Sequence, residues 1–247
     1  MKADPFVQLK LLDVQTLDSQ LDTLRAQITS LPETEELAEL TKQRDALLIR
    51  ARNAGVDVDD LTAEQRKADR DVESVKARRE RDQGLIDSGG VSNPKDLERM
   101  LGELESLARR ISDLEGVEIE VMERLETAQA LKSEAEAQAE ALTTQIADLE
   151  VKRDQRAAAI KAEGAEATRE RALVVADIPA DLLELYTKLR AQKGGIGAAA
   201  LRARQCGGCR LTLDASILAT IREAATDDVV RCEECGRILV RTGESGL

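Results

Sequence analysis

Histidine and tryptophan are absent from this chain of 247 residues, and phenylalanine and tyrosine occur once each. Without histidine there is no Ser/His/Asp set, no imidazole general base and no histidine-ligated metal. With aromatics at 1% and charged residues at 34%, the chain has no means of building a large aromatic core, and long solvated helices are the expected alternative. No run approaches the roughly 18 to 20 apolar residues of a membrane helix, and the first ten residues, MKADPFVQLK, lack the apolar stretch of a secretory signal. The expected setting is cytoplasmic, with reduced thiols and no membrane contact. Gly-rich phosphate loops and convergent carboxylate pairs are also missing, so nothing in the chain points to an enzyme.

What the chain does have is four cysteines arranged as two Cys-x-x-Cys pairs, Cys206/Cys209 and Cys232/Cys235. Two such knuckles present four thiolates to one ion, and a tetrahedral S₄ set suits Zn²⁺. The 22 residues between the pairs slightly exceed the usual spacing of such sites and leave room for a short helix. Redox-active Cys-x-x-Cys pairs are the weaker alternative, because they belong to a βαβ context that is missing here. Structural disulfides are weaker still, since they need an oxidising compartment. One Zn²⁺ per chain, held by Cys206, Cys209, Cys232 and Cys235, is the expected cofactor.

The first 172 residues read as helix. Val7, Val14, Leu17, Leu21, Leu24, Ile28 and Leu31 fall three and four apart in the manner of a coiled-coil seam, with Lys10 as its polar interruption. Pro32 lacks an N–H and clashes with the preceding turn, so a kink or restart is expected there, favoured by Glu33, Glu35 and Glu36. A second break is expected over Asn53–Asp60, with Thr62 and Gln65 as a capping box for the next stretch. The clearest turn is Asp87–Pro94, which contains Gly89-Gly90 and ends with Asn93 as N-cap and Pro94 at the first helical position. From Leu97 a heptad register has a and d at Leu97, Met100, Leu104, Leu107, Ile111, Leu114, Val121, Leu125, Ala128, Ala135, Ala139, Leu142, Ile146, Leu149 and Ile160, interrupted at Glu118, Lys132, Arg153 and Arg156. Two arms of about 80 residues joined by one turn fold back most simply into an antiparallel coiled-coil hairpin, roughly 110 to 120 Å long at 1.5 Å per residue. An intermolecular coiled coil is the rival, and the oligomeric state stays open.

Residues 173–247 form the second expected domain, after the hairpin of residues 1–172. A short helix follows Ile178-Pro179 and is closed by Gly194 and Gly195. Ala198–Gln205 reads as a strand into the first knuckle, a helix is expected from Asp214 or Ser216 to Ala225, and Ile238–Arg241 as a last strand. Gly207, Gly208 and Gly236 are expected at knuckle positions where backbone approaches sulfur or φ is positive. Charge divides in the same way: residues 1–172 carry 26 Lys+Arg against 38 Asp+Glu, while residues 173–247 carry ten of each. The acidic part repels nucleic-acid backbone, and the neutral part holds Arg202, Arg204, Arg210, Arg231, Arg237 and Arg241 around the knuckles.

Cys206-Gly207-Gly208-Cys209 with Leu211-Thr212-Leu213, and then Val229-Val230-Arg231-Cys232-Glu233-Glu234-Cys235-Gly236-Arg237-Ile238-Leu239-Val240, resemble the C4-type zinc ribbon of a bacterial coiled-coil-hairpin family. Ser92-Asn93-Pro94-Lys95-Asp96-Leu97 and Ile111-Ser112-Asp113-Leu114-Glu115 resemble that family's hairpin tip and second helix. The resemblance covers nearly the whole chain. It implies a mainly α fold, a kinked antiparallel hairpin with a small C-terminal zinc ribbon, acting as an adaptor or a nucleic-acid-binding regulator. Some relatives are linked to flagellar regulation or secretion. The Arg- and Ala-rich usage here resembles an actinobacterial branch.

Two functions stay in view. In the first, the acidic hairpin binds partner proteins and the ribbon is a docking head. The alternative is a regulator whose ribbon binds nucleic acid through its six arginines, against which stand its neutral charge and lack of stacking aromatics. An enzyme is a third and weaker reading, because a Cys₄ zinc has no water ligand to activate.

Overall fold

The computed structural model describes residues 1–247. In chain order the elements are α1 (Pro5–Thr29), α2 (Pro32–Asp87), α3 (Pro94–Val175), α4 (Ala180–Gln192), β1 (Ala198–Arg202), β2 (Gln205–Cys206), α5 (Ala215–Glu223) and β3 (Ile238–Arg241). The chain forms two compact units, one made of residues 1–34 with 151–247 and the other of residues 35–150. The fold is mainly α, an antiparallel coiled-coil hairpin with a small ribbon of strands at the C-terminal end of the chain.

The restart at Pro32 is present. Helix α1 ends at Thr29, the Ser30 N–H bonds back to the Ala26 carbonyl, and α2 begins at Pro32. The hairpin turn is also where the glycines place it: Gly89 has φ of 70°, and the Gly90 N–H reaches the Leu85 carbonyl at 3.0 Å, a left-handed helix stop. Asn93 Oδ1 then accepts from the Lys95 N–H at 3.0 Å and caps α3.

The break expected over Asn53–Asp60 is not there, because α2 runs through it without interruption. A buried or half-buried row at Leu47, Ala51, Ala54, Val58, Leu61, Gln65, Ala68 and Val72 keeps heptad spacing across the Gly55 and aspartate run, and packing of that row outweighs the roughly 1 kcal/mol that glycine costs a helix interior. Thr62 does not cap; its hydroxyl donates to the Val58 carbonyl inside the helix. In the unit of residues 35–150, Leu61 packs with Leu125 and Ala128, and the α3 seam named from the sequence faces inward, with Leu104, Ile111, Val121, Ala135, Ala139 and Ile146 buried.

In the other unit, Leu24 and Leu31 pack on Ile160 of α3. The three strands lie in the order β2-β1-β3, with β1 antiparallel to β2 and parallel to β3. Both faces of this small sheet are covered, and alternation along the strands decides what goes where. Ala198, Ile238 and Val240 join Leu11, Val14, Ile178, Leu182, Tyr186 and Leu189 in one core. Ala199, Leu201 and Leu239 point the other way, to Leu213, Leu218, Ile221, Cys206 and Cys232. The N-terminal residues are stitched to the ribbon as well, since the Ala3 N–H bonds to the Asp227 carbonyl and the Val229 N–H to the Met1 carbonyl.

Candidate metal centre

The stretch Ala198–Gln205 is a hairpin and not the single strand expected. Arg202 pairs with Gln205, and Ala203 and Arg204 between them have φ of 46° and 64°, a two-residue turn with both residues left-handed. This turn delivers Cys206 to the end of β2, fully buried. Each knuckle then closes in the same way. The Arg210 N–H bonds to the Cys206 carbonyl at 2.7 Å and the Gly236 N–H to the Cys232 carbonyl at 2.8 Å.

The residue after the second cysteine therefore adopts positive φ in each knuckle: 60° at Arg210 and 71° at Gly236. The expectation of positive φ holds for Gly236 and fails for Gly207 and Gly208, which are needed for space. A Cβ on Gly207 would meet the Ala200 carbonyl at 3.1 Å, and one on Gly208 would meet Arg237 Cδ at 2.7 Å.

The four sulfurs converge. All lie within 4.8 Å of one another, with Cys206 to Cys235 and Cys209 to Cys232 at 3.9 Å. A tetrahedron with metal–sulfur bonds of about 2.3 Å has edges of about 3.8 Å, so the set fits one Zn²⁺. The same separations are nearly twice the roughly 2.05 Å of a disulfide, and all four thiols are free.

Burial pushes the Cys206 thiol above its usual range, against backbone N–H groups of Cys209 and Gly208 that favour its thiolate. Burial likewise pushes Cys232 up to about 12. Cys235 is also pushed up by burial, but the N–H and guanidinium of Arg237 and the neighbouring thiols outweigh that and bring it down to about 7. Zinc binds the thiolates, so binding displaces protons and weakens as pH falls.

The six arginines divide by what they already hold. Arg241 donates to the carbonyls of Ile221, Ala224, Ala225, Thr226 and Asp228 and fastens the chain after α5. Arg237 donates to the Ile196 and Lys193 carbonyls beyond α4. Those two are internal fasteners. Arg231 donates to the Gly236 carbonyl at 2.9 Å, Arg204 to the Gly246 carbonyl at 3.3 Å, and Arg202 pairs with Glu244 at 3.2 Å, all three with exposed side chains. Arg210 is exposed.

Behind the ribbon sits a polar cluster that periodicity did not reveal. Asp18, 5% exposed, accepts from Tyr186 Oη at 2.7 Å and Arg171 Nε at 2.6 Å and lies 3.4 Å from Arg190 Nε. Gln15, also buried, accepts from the Gly197 N–H at 2.7 Å and donates to the Gly195 carbonyl at 2.9 Å. Asp18 and Gln15 stand beside the apolar seam of α1, and only the presence of α4 and β1 on that flank buries them. The single tyrosine of the chain was the one available signal.

Family comparison agrees with this architecture. Residues 14–194 match the CT398-like coiled coil hairpin domain and residues 205–239 the C4-type zinc ribbon domain. The chain is 32% identical over 241 residues to the protein Rv2229c of Mycobacterium tuberculosis, covering 98% of each. A solved structure from Mycobacterium smegmatis superposes with a TM-score of 0.82 at 36% identity, over 98% of this chain and 100% of that one. CT398 of Chlamydia trachomatis gives 0.65 at 16% identity, over 96% and 98% of the two chains, and speaks to the fold alone. The chain belongs to the CT398-like coiled-coil hairpin family and joins that hairpin to a C-terminal C4-type zinc ribbon.

Proposed function

We propose that this protein is a non-enzymatic, zinc-stabilised adaptor, whose acidic hairpin binds partner proteins and whose ribbon serves as docking head. The closed sulfur tetrahedron carries this reading. Four thiolates at all four corners leave a zinc ion no position for water or substrate, so the metal's contribution is to fold the ribbon. The helical surface supports it, since residues 35–150 hold 17 Lys+Arg against 29 Asp+Glu, which is the whole net charge of −12. A long charged surface without convergent catalytic groups suits recognition of a protein and not turnover of a small molecule. Affinity purification of the tagged, zinc-loaded chain from its own host, with identification of bound protein and RNA, should return a protein in near-stoichiometric yield. Recovery of RNA without protein would sink the adaptor reading.

A nucleic-acid-binding regulator is the second reading, favoured by the exposure of Arg202, Arg204, Arg210 and Arg231 on the turns that carry the knuckles. Its test uses the full chain, because Leu11 and Val14 of α1 belong to the core on which the ribbon is built. RNA binding should weaken with salt at a slope of about two to four phosphate contacts and should be lost in an Arg202→Ala/Arg204→Gly/Arg210→Gly variant that keeps its zinc. No binding at about 50 mM salt up to about 100 μM protein ends this reading.

A further inference from the structure

We infer that a groove between α2 and α3 in the unit of residues 35–150 takes a basic amphipathic helix of a partner protein. The inference rests on the adaptor reading and names where the partner sits and what chemistry recognises it. The groove has a volume of about 640 Å³. Ala54, Leu61 and Ala128 form its floor, and Leu131, 49% exposed, lies along it. Two of the floor residues are alanines, so the seam here lacks the side-chain bulk that would fill the furrow between two helices. A third helix seated in such a furrow packs by its i, i+3, i+4 and i+7 row.

The rim states the sign of the occupant. Residues 53–65 contain Asp57, Asp59, Asp60 and Glu64 and no Lys or Arg, and residues 111–131 contain six Asp+Glu with Arg124 as their single cation. Arg124 is taken by Glu64 at 3.6 Å, and Lys132, which lies against Gly55, pairs with Glu136 at 3.8 Å. Asp57 and Asp60 line the groove and are exposed.

Nearer the hairpin turn the balance differs. Residues 66–110 hold eleven Lys+Arg and ten Asp+Glu, so the excess of acid lies over the groove and the α3 stretch of residues 132–150 and not near the turn. A second copy of this chain would bring like charge to the rim, and a nucleic acid would bring phosphate. A helix with an apolar row flanked by Lys and Arg satisfies both floor and rim, and charge complementarity would steer its encounter.

The test uses the full-length, zinc-loaded protein and a fluorescein-labelled 18-residue helical peptide of Leu and Lys, with Leu at i, i+3, i+4 and i+7. A second peptide carries Gln in place of each Leu. At about 150 mM salt the Leu/Lys peptide should bind, and Asp57→Lys/Asp60→Lys should weaken it by about tenfold. Leu131→Gln should weaken it by about threefold, the loss of part of one apolar contact. Glu98→Lys/Glu105→Lys makes the same change of net charge on exposed α3 positions outside the groove and should change binding by less than about twofold. The inference is overturned if that control weakens binding as much as the groove variant, or if the Gln peptide binds as tightly as the Leu peptide. If host proteins bind the full chain and Asp57→Lys/Asp60→Lys leaves them in place, the groove assignment falls and the adaptor reading stands. If the peptide behaves as expected and no host protein is recovered, the adaptor reading falls and the groove stands.

Discussion

Asp18 shows how much one side chain can hold in this fold. Burial alone would raise its pKa, but the hydrogen bonds from Arg171 and Tyr186 and the charges of Arg171 and Arg190 outweigh that and hold it below the usual carboxylate value. A carboxyl whose folded pKa is lowered contributes stability that is complete above its unfolded value and is lost as pH falls through the folded one. The contribution of Asp18 to the stability of its unit should therefore begin to fall below about pH 4. Asp18→Asn should cost about 3 kcal/mol at neutral pH, because Arg171 and Arg190 lose their counter-charge in a desolvated site, and should flatten the acid limb. Urea unfolding of both proteins at pH 7 and pH 3.5 measures this, and equal stabilities at pH 7 would show that the cluster contributes nothing. Gly197 is as demanding on steric grounds. A Cβ there would stand 2.5 Å from the Tyr186 carbonyl oxygen and 2.8 Å from the ring, with backbone on one side and a buried ring on the other. Gly197→Ala should destabilise by about 3 kcal/mol, the upper end of ordinary overpacking, whereas Gly102→Ala on open helix surface should gain a few tenths to about 1 kcal/mol.

Among the elements, the turn between β1 and β2 is built against local preference. Ala203 and Arg204 both occupy the left-handed region, which costs a non-glycine residue about 1 kcal/mol or more. The pairing of Leu201 with Cys206 holds them there and brings the first cysteine to the metal centre. Ala203→Asn/Arg204→Gly installs the residues such a turn favours and should raise the stability of the zinc-loaded ribbon by about 1 kcal/mol. Calorimetry at saturating zinc reads this, and a lower melting temperature would contradict the assignment of the turn. Helix α2 makes the same point over a longer span. Its Asn53–Asp60 run carries every local sign of a break, yet the heptad from Leu47 to Val72 continues through it. Burial of that row on α3 is worth more than the local signals, and Gln65 with Ala51, Ala54 and Ala68 on the row hide it from a hydropathy reading.

At the scale of the molecule, the metal centre and the helices of its unit share one sheet. Ala199, Leu201 and Leu239 pack with the cysteines, while Ala198, Ile238 and Val240 pack with α1 and α4. Loss of zinc should therefore spread through the sheet into residues 1–34 and 151–247. Structural zinc contributes on the order of 10 kcal/mol to folding such small domains. Chelation, or Cys206→Ser, should abolish amide protection over residues 198–241 and lower it in α1 and α4. Protection in residues 35–150, which have their own helix-to-helix core, should stay unchanged in hydrogen exchange read by mass spectrometry. Lowering pH should mimic chelation, since protons compete for the four thiolates and burial already favours the protonated form at Cys206 and Cys232.

Much of this was decided locally and could be read from the chain. The two Cys-x-x-Cys pairs define the metal centre because the knuckle is a short-range structure. Pro32, Gly89 and Asn93 set helix ends through their own backbone chemistry, and the α3 heptad is legible because its seam is rich in leucine and isoleucine. Other features exist only once distant segments meet. Gln15 and Asp18 are buried because α4 and β1 cover a flank of α1 that an isolated coiled coil would leave in water. Arg237 and Arg241 became fasteners because the carbonyls they hold come from segments elsewhere in the chain. The uninterrupted α2 and the left-handed turn at Ala203-Arg204 go against local preference and persist because tertiary packing outweighs the roughly 1 kcal/mol that each residue's own propensity opposes.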